Sequence, residues 1–365
     1  MSALANTAAW AALPFDVESL YRLSGRTHLR PMPDGLLAES PIGGPGLLLA
    51  NRSRLRLVLS FVQPVRPASL VAPLEKEKQA AVLRFLEHCH DLGLLTRVTD
   101  GRADEEQGPL AHWEPHDLRF HLRSRRGRNG APVGATYHLA AVVPPEPAVR
   151  EAIGPVLPLP RSRREPGPEP TLMQALETRR SLYGVAPLAL DELGELLYRT
   201  CRVTGEIEIA GERYLRKPYP SGGSLHSLEV YVIPVRCEGL ETGVYRYLGK
   251  EHALCRAGNA GPDVDLLLEE ARQGTGGKLP DIPSVLLVMT TRFRRVTRKY
   301  QSMAYSAILK EVGALFQTLY LVATAMDLTP CAIGAGDTDR FARAAGLDFY
   351  QETSVGEMVL GGPER

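Results

Sequence analysis

At 365 residues the chain is long enough for two ordinary domains, each able to bury a core of its own. Hydrophobic residues make up 44% and charged residues 23%, the balance of a globular protein. With 43 Lys+Arg against 42 Asp+Glu the net charge is +1, so nothing global favours nucleic acid or a membrane surface as partner.

The five cysteines, Cys89, Cys201, Cys237, Cys255 and Cys331, are odd in number and form no CxxC pair, so no disulfide framework and no metal site are expected. That usage suits a reducing cytoplasm. The opening MSALANTAAWAALPFDVESL has no charged region followed by an apolar one, and predicts no secretion signal. The longest apolar run, Val312 to Met326, is broken by Gln317 and Thr318 and falls short of a bilayer span; it predicts a buried helix and no membrane partner.

Along the chain, Ala68 to Leu95 places Leu74, Ala81, Leu83, Leu86 and Leu92 at near-helical intervals, with Gly93 as a stop. Leu118, Phe120 and Leu122 then alternate with Asp117, Arg119 and His121, a strand pattern leading into a Gly/Arg/Asn turn. Helices followed by a strand pair resemble a small winged-helix-like α/β module, expected over residues 1–145. Between Val142 and Pro170 the chain is dense in proline, with a basic cluster at Arg161 to Arg164, and residues 146–168 read as an extended linker. Residues 169–365 form the second domain. It opens with helices around Thr171 to Glu177 and Leu190 to Cys201. Strands are expected at Leu228 to Val235, Gly243 to Leu248, Pro283 to Thr291 and Val355 to Gly361. Between the last two strands lies the helix Ala304 to Met326. Its Ile308, Val312, Leu315, Leu319 and Val322 recur at steps of four and three, yet most other positions beyond Glu311 are apolar too. Such a helix needs either a central position or a partner subunit.

Four short motifs carry chemistry. Arg179-Arg180-Ser181 could hold a phosphate through charge-assisted hydrogen bonds, or stand solvated on a helix end. Ser221-Gly222-Gly223-Ser224 lets backbone approach a ligand closely, or is an ordinary glycine turn; no GK[ST] follows it, and it precedes a strand, which excludes a P-loop and a dinucleotide fingerprint. Lys299-Tyr300 could serve as a general base and proton donor, or add one more cation to a segment already holding Arg292, Arg294, Arg295 and Arg298. Gln317, polar in an apolar helix, must satisfy its amide at a ligand edge or at a neighbouring carbonyl; Cys331-Ala332-Ile333-Gly334 lies downstream.

Taken in order, RRS, PSGGSLHSLEVYV, KY before a long helix, LKEVGALFQTLYLVATAMDL, PCAIG and VGEMVLGGPE resemble the nitroreductase superfamily, and within it the SagB-type azoline-oxidising peptide dehydrogenases, over roughly Glu169 to Arg365. The resemblance implies an α+β flavoprotein fold, a central sheet flanked by helices, in a homodimer with FMN between the subunits. It implies Arg179, Arg180 and Ser181 at the flavin phosphate and ribityl end, and Ser221 to Ser224 near the ring. Gln317 would touch the cofactor or the adjacent helix, Ile333 and Gly334 would lie over the flavin, and Gly361 and Gly362 would stand near the phosphate. Lys299 and Tyr300 match the branch's catalytic pair. One departure is Arg180-Ser181-Leu182-Tyr183, where many members carry a further arginine two residues after the triplet. In the first half, Trp113-Glu114-Pro115-His116-Asp117-Leu118 resembles a piece of the accessory segment of some branch members, read here as a leader-peptide grip.

The activity implied is oxidation of thiazoline or oxazoline rings in a ribosomally made precursor peptide, after a cyclodehydratase has formed them. The alternatives are a generic FMN nitro or quinone reductase using NAD(P)H, which needs no Lys-Tyr pair, and a flavin-free peptide-binding scaffold.

Overall fold

The computed structural model describes residues 13–44, 46–127, 130–160, 169–209 and 211–363, which fall into two compact units, 1–133 and 134–365. In the first unit two three-stranded antiparallel sheets pack with helices Arg52–Leu59, Pro67–Val71, Lys76–Asp91 and Pro115–Arg123. Tyr21, Phe61, Leu86 and Leu95 are at the centre of its core. The expected helix over Ala68 to Leu95 is two helices, because Pro73 has no N–H to donate and its ring clashes with the preceding turn. Gly93 follows the second at φ +66, the left-handed conformation of a helix stop.

The expected strand at Asp117 to Leu122 is a helix. Pro115 occupies its first turn, and Glu114 accepts from the backbone N–H groups of His116 (2.7 Å) and Asp117 (3.0 Å). A cap and an N-terminal proline outweigh a two-residue alternation in so short a segment. The hairpin that follows the long helix lies earlier, Leu95–Thr99 with Arg102–Ala103, turned at Asp100-Gly101 with both residues at positive φ.

The second unit is built on one seven-stranded sheet whose neighbours are all antiparallel. In chain order its strands are β1 (Val156–Pro158), β2 (Leu228–Pro234), β3 (Gly243–Leu248), β4 (Ala253–Asn259), β5 (Val285–Arg292), β6 (Thr329–Ile333) and β7 (Glu352–Gly361); in space they run β6-β7-β5-β2-β3-β4-β1. Helices α1 (Leu172–Thr178), α2 (Leu190–Cys201), α3 (Pro262–Gly274), α4 (Phe293–Thr297), α5 (Ala304–Ala325) and α6 (Thr338–Ala345) accompany it. β5 is buried at every position. Alternate residues explain why. Leu228, Val230 and Val232 of β2 face a core shared with α2 and α5, while Tyr231 and Ile233 face a second core shared with α3 and α6. A strand covered on both faces reads as a continuous apolar run.

The stretch read as a linker contributes to this unit as far as Pro160. Its residues Val156–Pro158 pair with β4 as the sheet's edge strand, and a proline is tolerated at an edge. The basic cluster at Arg161 to Arg164 lies outside the described residues.

Helix α5 is long and apolar enough, by length and composition, to cross a membrane, yet Ile308, Val312, Leu315, Leu319 and Ala323 are buried in the core against the sheet. Its opposite side is open: Tyr305, Leu309, Gly313 and Gln317, four residues apart, form an exposed stripe. One chain covers part of the helix and leaves a seam along it.

Candidate active site

The candidate residues gather at the two ends of α5. At its C-terminal end, Arg179 caps α1 and sets its guanidinium 5.1 Å over the ring of Tyr320. The Tyr320 hydroxyl accepts from the Ala332 backbone N–H at 2.8 Å and lies 2.9 Å from Ser181 Oγ, so its own proton is free for the serine. Arg180 is exposed and donates to the carbonyls of Glu177 and Arg179. Neither arginine pairs with a carboxylate among the described residues. With no carboxylate neutralising either guanidinium, the two cations and the Ser181 hydroxyl leave a cluster that suits an anion through its side chains, since the C-terminal end of α1 carries partial negative charge of its own. The Leu182 N–H donates to the Pro330 carbonyl (3.0 Å), which ties this segment to β6; Ile333 at the end of that strand is buried, and Gly334 beyond it is exposed with open space where a side chain would stand.

Gly361 and Gly362 have another explanation in the fold. A Cβ at Gly361 would lie 2.3 Å from the Gly184 carbonyl oxygen, and one at Gly362 would lie 2.0 Å from that of Pro187. Both glycines are required by the close passage of residues 184–187, to which Gly362 also donates a hydrogen bond through Ala186. Backbone of the chain itself fills the space beside them.

At the N-terminal end of α5 the loop Ser221 to Ser224 meets Lys299 and Tyr300. Gly223 has φ +63, and a Cβ built there would stand 2.6 Å from Tyr300 Oη and 2.8 Å from Lys299 Nζ. The two functional groups therefore converge on one glycine. The neighbouring Gly222 approaches Ala307 of α5, with 3.7 Å to a built Cβ. Ser221 Oγ accepts from the His226 N–H at 2.9 Å, which pins the loop's far end, and Ser224 sits at φ +54.

Behind this loop lies a buried polar group that spacing gave no reason to single out. Ser227 Oγ donates to Glu311 at 3.2 Å and accepts from Thr291 at 3.0 Å. His226 packs its ring on Tyr219, with Nδ1 3.9 Å from Glu311. Burial pushes the His226 pKa down to about 4, with Lys217 and Arg295 adding to the effect, and pushes the Glu311 carboxyl up. Tyr320 likewise carries no signal in the sequence, where nothing separates a core tyrosine from one that anchors an exposed segment.

Ala307 and Tyr320 mark the two clusters on α5 and are separated by about 20 Å at 1.5 Å rise per residue. Gln317 lies toward the second cluster, on the exposed stripe.

The nitroreductase family model matches residues 177–362, half of the chain. The chain belongs to the nitroreductase family. Residues 21–130 match a second model, that of the cyanobactin oxidase ThcOx, so the resemblance to the SagB-type branch holds over both units. MJ1384 of Methanocaldococcus jannaschii, which is named a nitroreductase, is 31% identical over 166 residues, 45% of this chain and 78% of that protein. The microcin B17-processing protein McbC of Escherichia coli is 31% identical over 139 residues, 37% of this chain and 50% of McbC. Among solved structures, a protein of Anabaena variabilis named as a nitroreductase is 21% identical with a TM-score of 0.47, covering 66% of this chain and 45% of the other. The E. coli microcin synthetase McbBCD complex with truncated pro-MccB17 bound is 21% identical with a TM-score of 0.43, covering 67% and 87%. As a member of this family the protein is an oxidoreductase.

Proposed function

We propose that this nitroreductase-family protein uses FMN to oxidise thiazoline or oxazoline rings to thiazoles or oxazoles in a ribosomally made peptide. The observation that carries the reading is the convergence of Lys299 Nζ and Tyr300 Oη on Gly223, which joins two motifs 76 positions apart into one polar site. A ThcOx-type first unit and the likeness to McbC support a peptide substrate over a nitroaromatic one.

The residues present fit a flavin mononucleotide. Arg179, Arg180 and Ser181 would hold its phosphate and ribityl chain, since both cations lack carboxylate partners among the described residues. The loop Ser221 to Ser224, Gln317 and Gly334 would surround the ring, where Gly334 leaves space open, while Ile333 turns its side chain into the core shared with α3 and α6 and could offer only its backbone. With the two clusters about 20 Å apart along α5, a cofactor shared between the end of one copy and the loop of another fits a homodimer, and the exposed stripe on α5 is the seam such a partner would cover. When bound, FMN accepts hydride.

An azoline becomes aromatic by losing a proton and a hydride from adjacent ring carbons. The chain's part is to orient the ring and take the proton: Lys299 Nζ and Tyr300 Oη both converge on Gly223, so either can meet a ring held at that loop and receive it. The rings must already exist in the peptide, which implies a cyclodehydratase acting before this step.

Purified protein is expected to be yellow and to release FMN, not FAD, on denaturation. Lys299→Ala and Tyr300→Phe are expected to keep the flavin and to lower azoline oxidation by about 10²- to 10⁴-fold, read as failure of the two-hydrogen mass decrease in a cyclised precursor peptide. Wild-type oxidation by both variants, or colourless fresh protein, overturns the proposal.

A further inference from the structure

Lys299 has a cover that its motif does not include. Its Nζ lies 5.5 Å from the ring centroid of Tyr300, 5.6 Å from that of Tyr214 and 5.8 Å from that of Tyr137. All three are within the roughly 6 Å reach of a cation–π contact. The rings come from separate pieces of chain. Tyr214 belongs to the antiparallel hairpin Gly205–Ile209 with Glu212–Arg216, is buried, and donates from Oη to Glu212 at 3.1 Å. Tyr137 belongs to the irregular segment that opens the second unit.

That segment is fastened along its length to the stretch carrying Lys299. Ala135 pairs with Tyr300 in a short antiparallel bridge, Thr136 Oγ1 donates to Gln301 at 2.9 Å, and the Tyr137 N–H donates to the Lys299 carbonyl at 3.0 Å. Tyr137 itself sits at φ +54, a conformation that a bulky residue holds only where its surroundings impose it. Arg298, next to Lys299, donates to the Val143 carbonyl at 2.9 Å and to Glu212 at 2.7 Å, and so ties the segment and the hairpin with one side chain. Farther on, Arg295 donates to the carbonyls of Glu146 and Pro147, and Arg292 to those of Pro147 and Ala148. Pro144, Pro145 and Pro147 have no N–H with which to build a ladder, so the arginines supply the donors.

We propose that Tyr137 is a positioning residue: with Tyr214 it forms the wall of a tyrosine cage that holds Lys299 Nζ against the Gly223 loop. This rests on the role proposed for Lys299. The ring is the working part, so Tyr137→Phe keeps the function and Tyr137→Leu removes it, and because Tyr137 is 43% exposed neither change disrupts a core.

Two measurements on the full-length, flavin-loaded protein test it. In the first, Tyr137→Leu lowers kcat for azoline oxidation about tenfold or more with KM and flavin content unchanged, as a misplaced catalytic group does, and Tyr137→Phe stays within about twofold of wild type. In the second, limiting acetic anhydride labels lysines, and peptide mass spectrometry compares Lys299 with the exposed Lys78. A caged Nζ reacts slowly. Tyr137→Leu raises Lys299 labelling several-fold and Tyr137→Phe does not. Unchanged labelling in Tyr137→Leu overturns the cage whatever the activity, and increased labelling with wild-type kcat overturns the positioning role. If Lys299→Ala oxidises azolines at the wild-type rate, the catalytic role of the pair fails, and the labelling still decides the cage.

Discussion

Substituting the two adjacent glycines of the loop separates the Lys299-Tyr300 pair from the loop that faces it. At Gly223 an alanine Cβ would stand 2.6 Å from Tyr300 Oη and 2.8 Å from Lys299 Nζ, against an ordinary contact of about 3.5–4.0 Å. Both side chains must retreat by about 1 Å, and a misplacement of that size costs about 10²-fold in rate. Alanine at φ +63 also costs about 1–2 kcal/mol, which a fold stable by about 5–15 kcal/mol survives. Gly222→Ala is the control: its Cβ meets only Ala307, at an ordinary 3.7 Å. The expected outcome is a folded, yellow Gly223→Ala protein, with a Tm lowered by a few degrees and azoline oxidation down about 10²-fold, beside a Gly222→Ala protein that keeps its Tm and, with the pair undisturbed, loses less activity. The assay is mass spectrometry of a cyclised precursor peptide, with flavin content and thermal unfolding measured on the same samples. Wild-type oxidation by Gly223→Ala refutes the reasoning. Equal loss in both variants, with flavin intact, would show that the loss runs through the loop's contact with the ring and not through the pair.

Acid sensitivity follows from His226, which is neutral in the fold with a pKa of about 4 against 6.5 in the unfolded chain. Between those values the unfolded chain binds a proton that the native state refuses, so stability falls as pH drops from 6.5 to about 4, by about 3 kcal/mol in all. His226→Phe keeps the ring contact with Tyr219 and the backbone bond to Ser221, and urea unfolding at pH 7 and pH 4.5 is expected to show a shallower loss than in wild type; equal slopes would contradict it. Leu309, 40% exposed on the open stripe of α5, tests the proposed subunit seam. Leu309→Arg is expected to give a monomer by light scattering that has lost its flavin, whereas a flavin-loaded dimer would place the interface elsewhere.

Much of the second unit was legible because its elements obey local rules. The helix expected at Leu190 to Cys201 and the strand expected at Gly243 to Leu248 have those same bounds, and the helix expected from Ala304 to Met326 ends one residue sooner, since a strand covered on both faces or a helix across a sheet leaves its period in the chain. Local pattern failed where two rules competed. Leu118, Phe120 and Leu122 alternate as a strand would, but Glu114 and Pro115 start a helix, and Val156–Pro158 joins a sheet edge from inside a proline-rich stretch. The RRS, PSGGS and KY motifs could be read with their chemistry undecided between a site and a solvated surface. What the tertiary structure alone decided is which of them meet. Lys299 and Tyr300 reach Gly223, Tyr320 holds Ser181 across 139 positions, and Gly361 and Gly362 are occupied by the backbone of residues 184–187. Spacing records only neighbours along one element, whereas these meetings depend on the order in which strands pair and on which end of α5 each loop returns to.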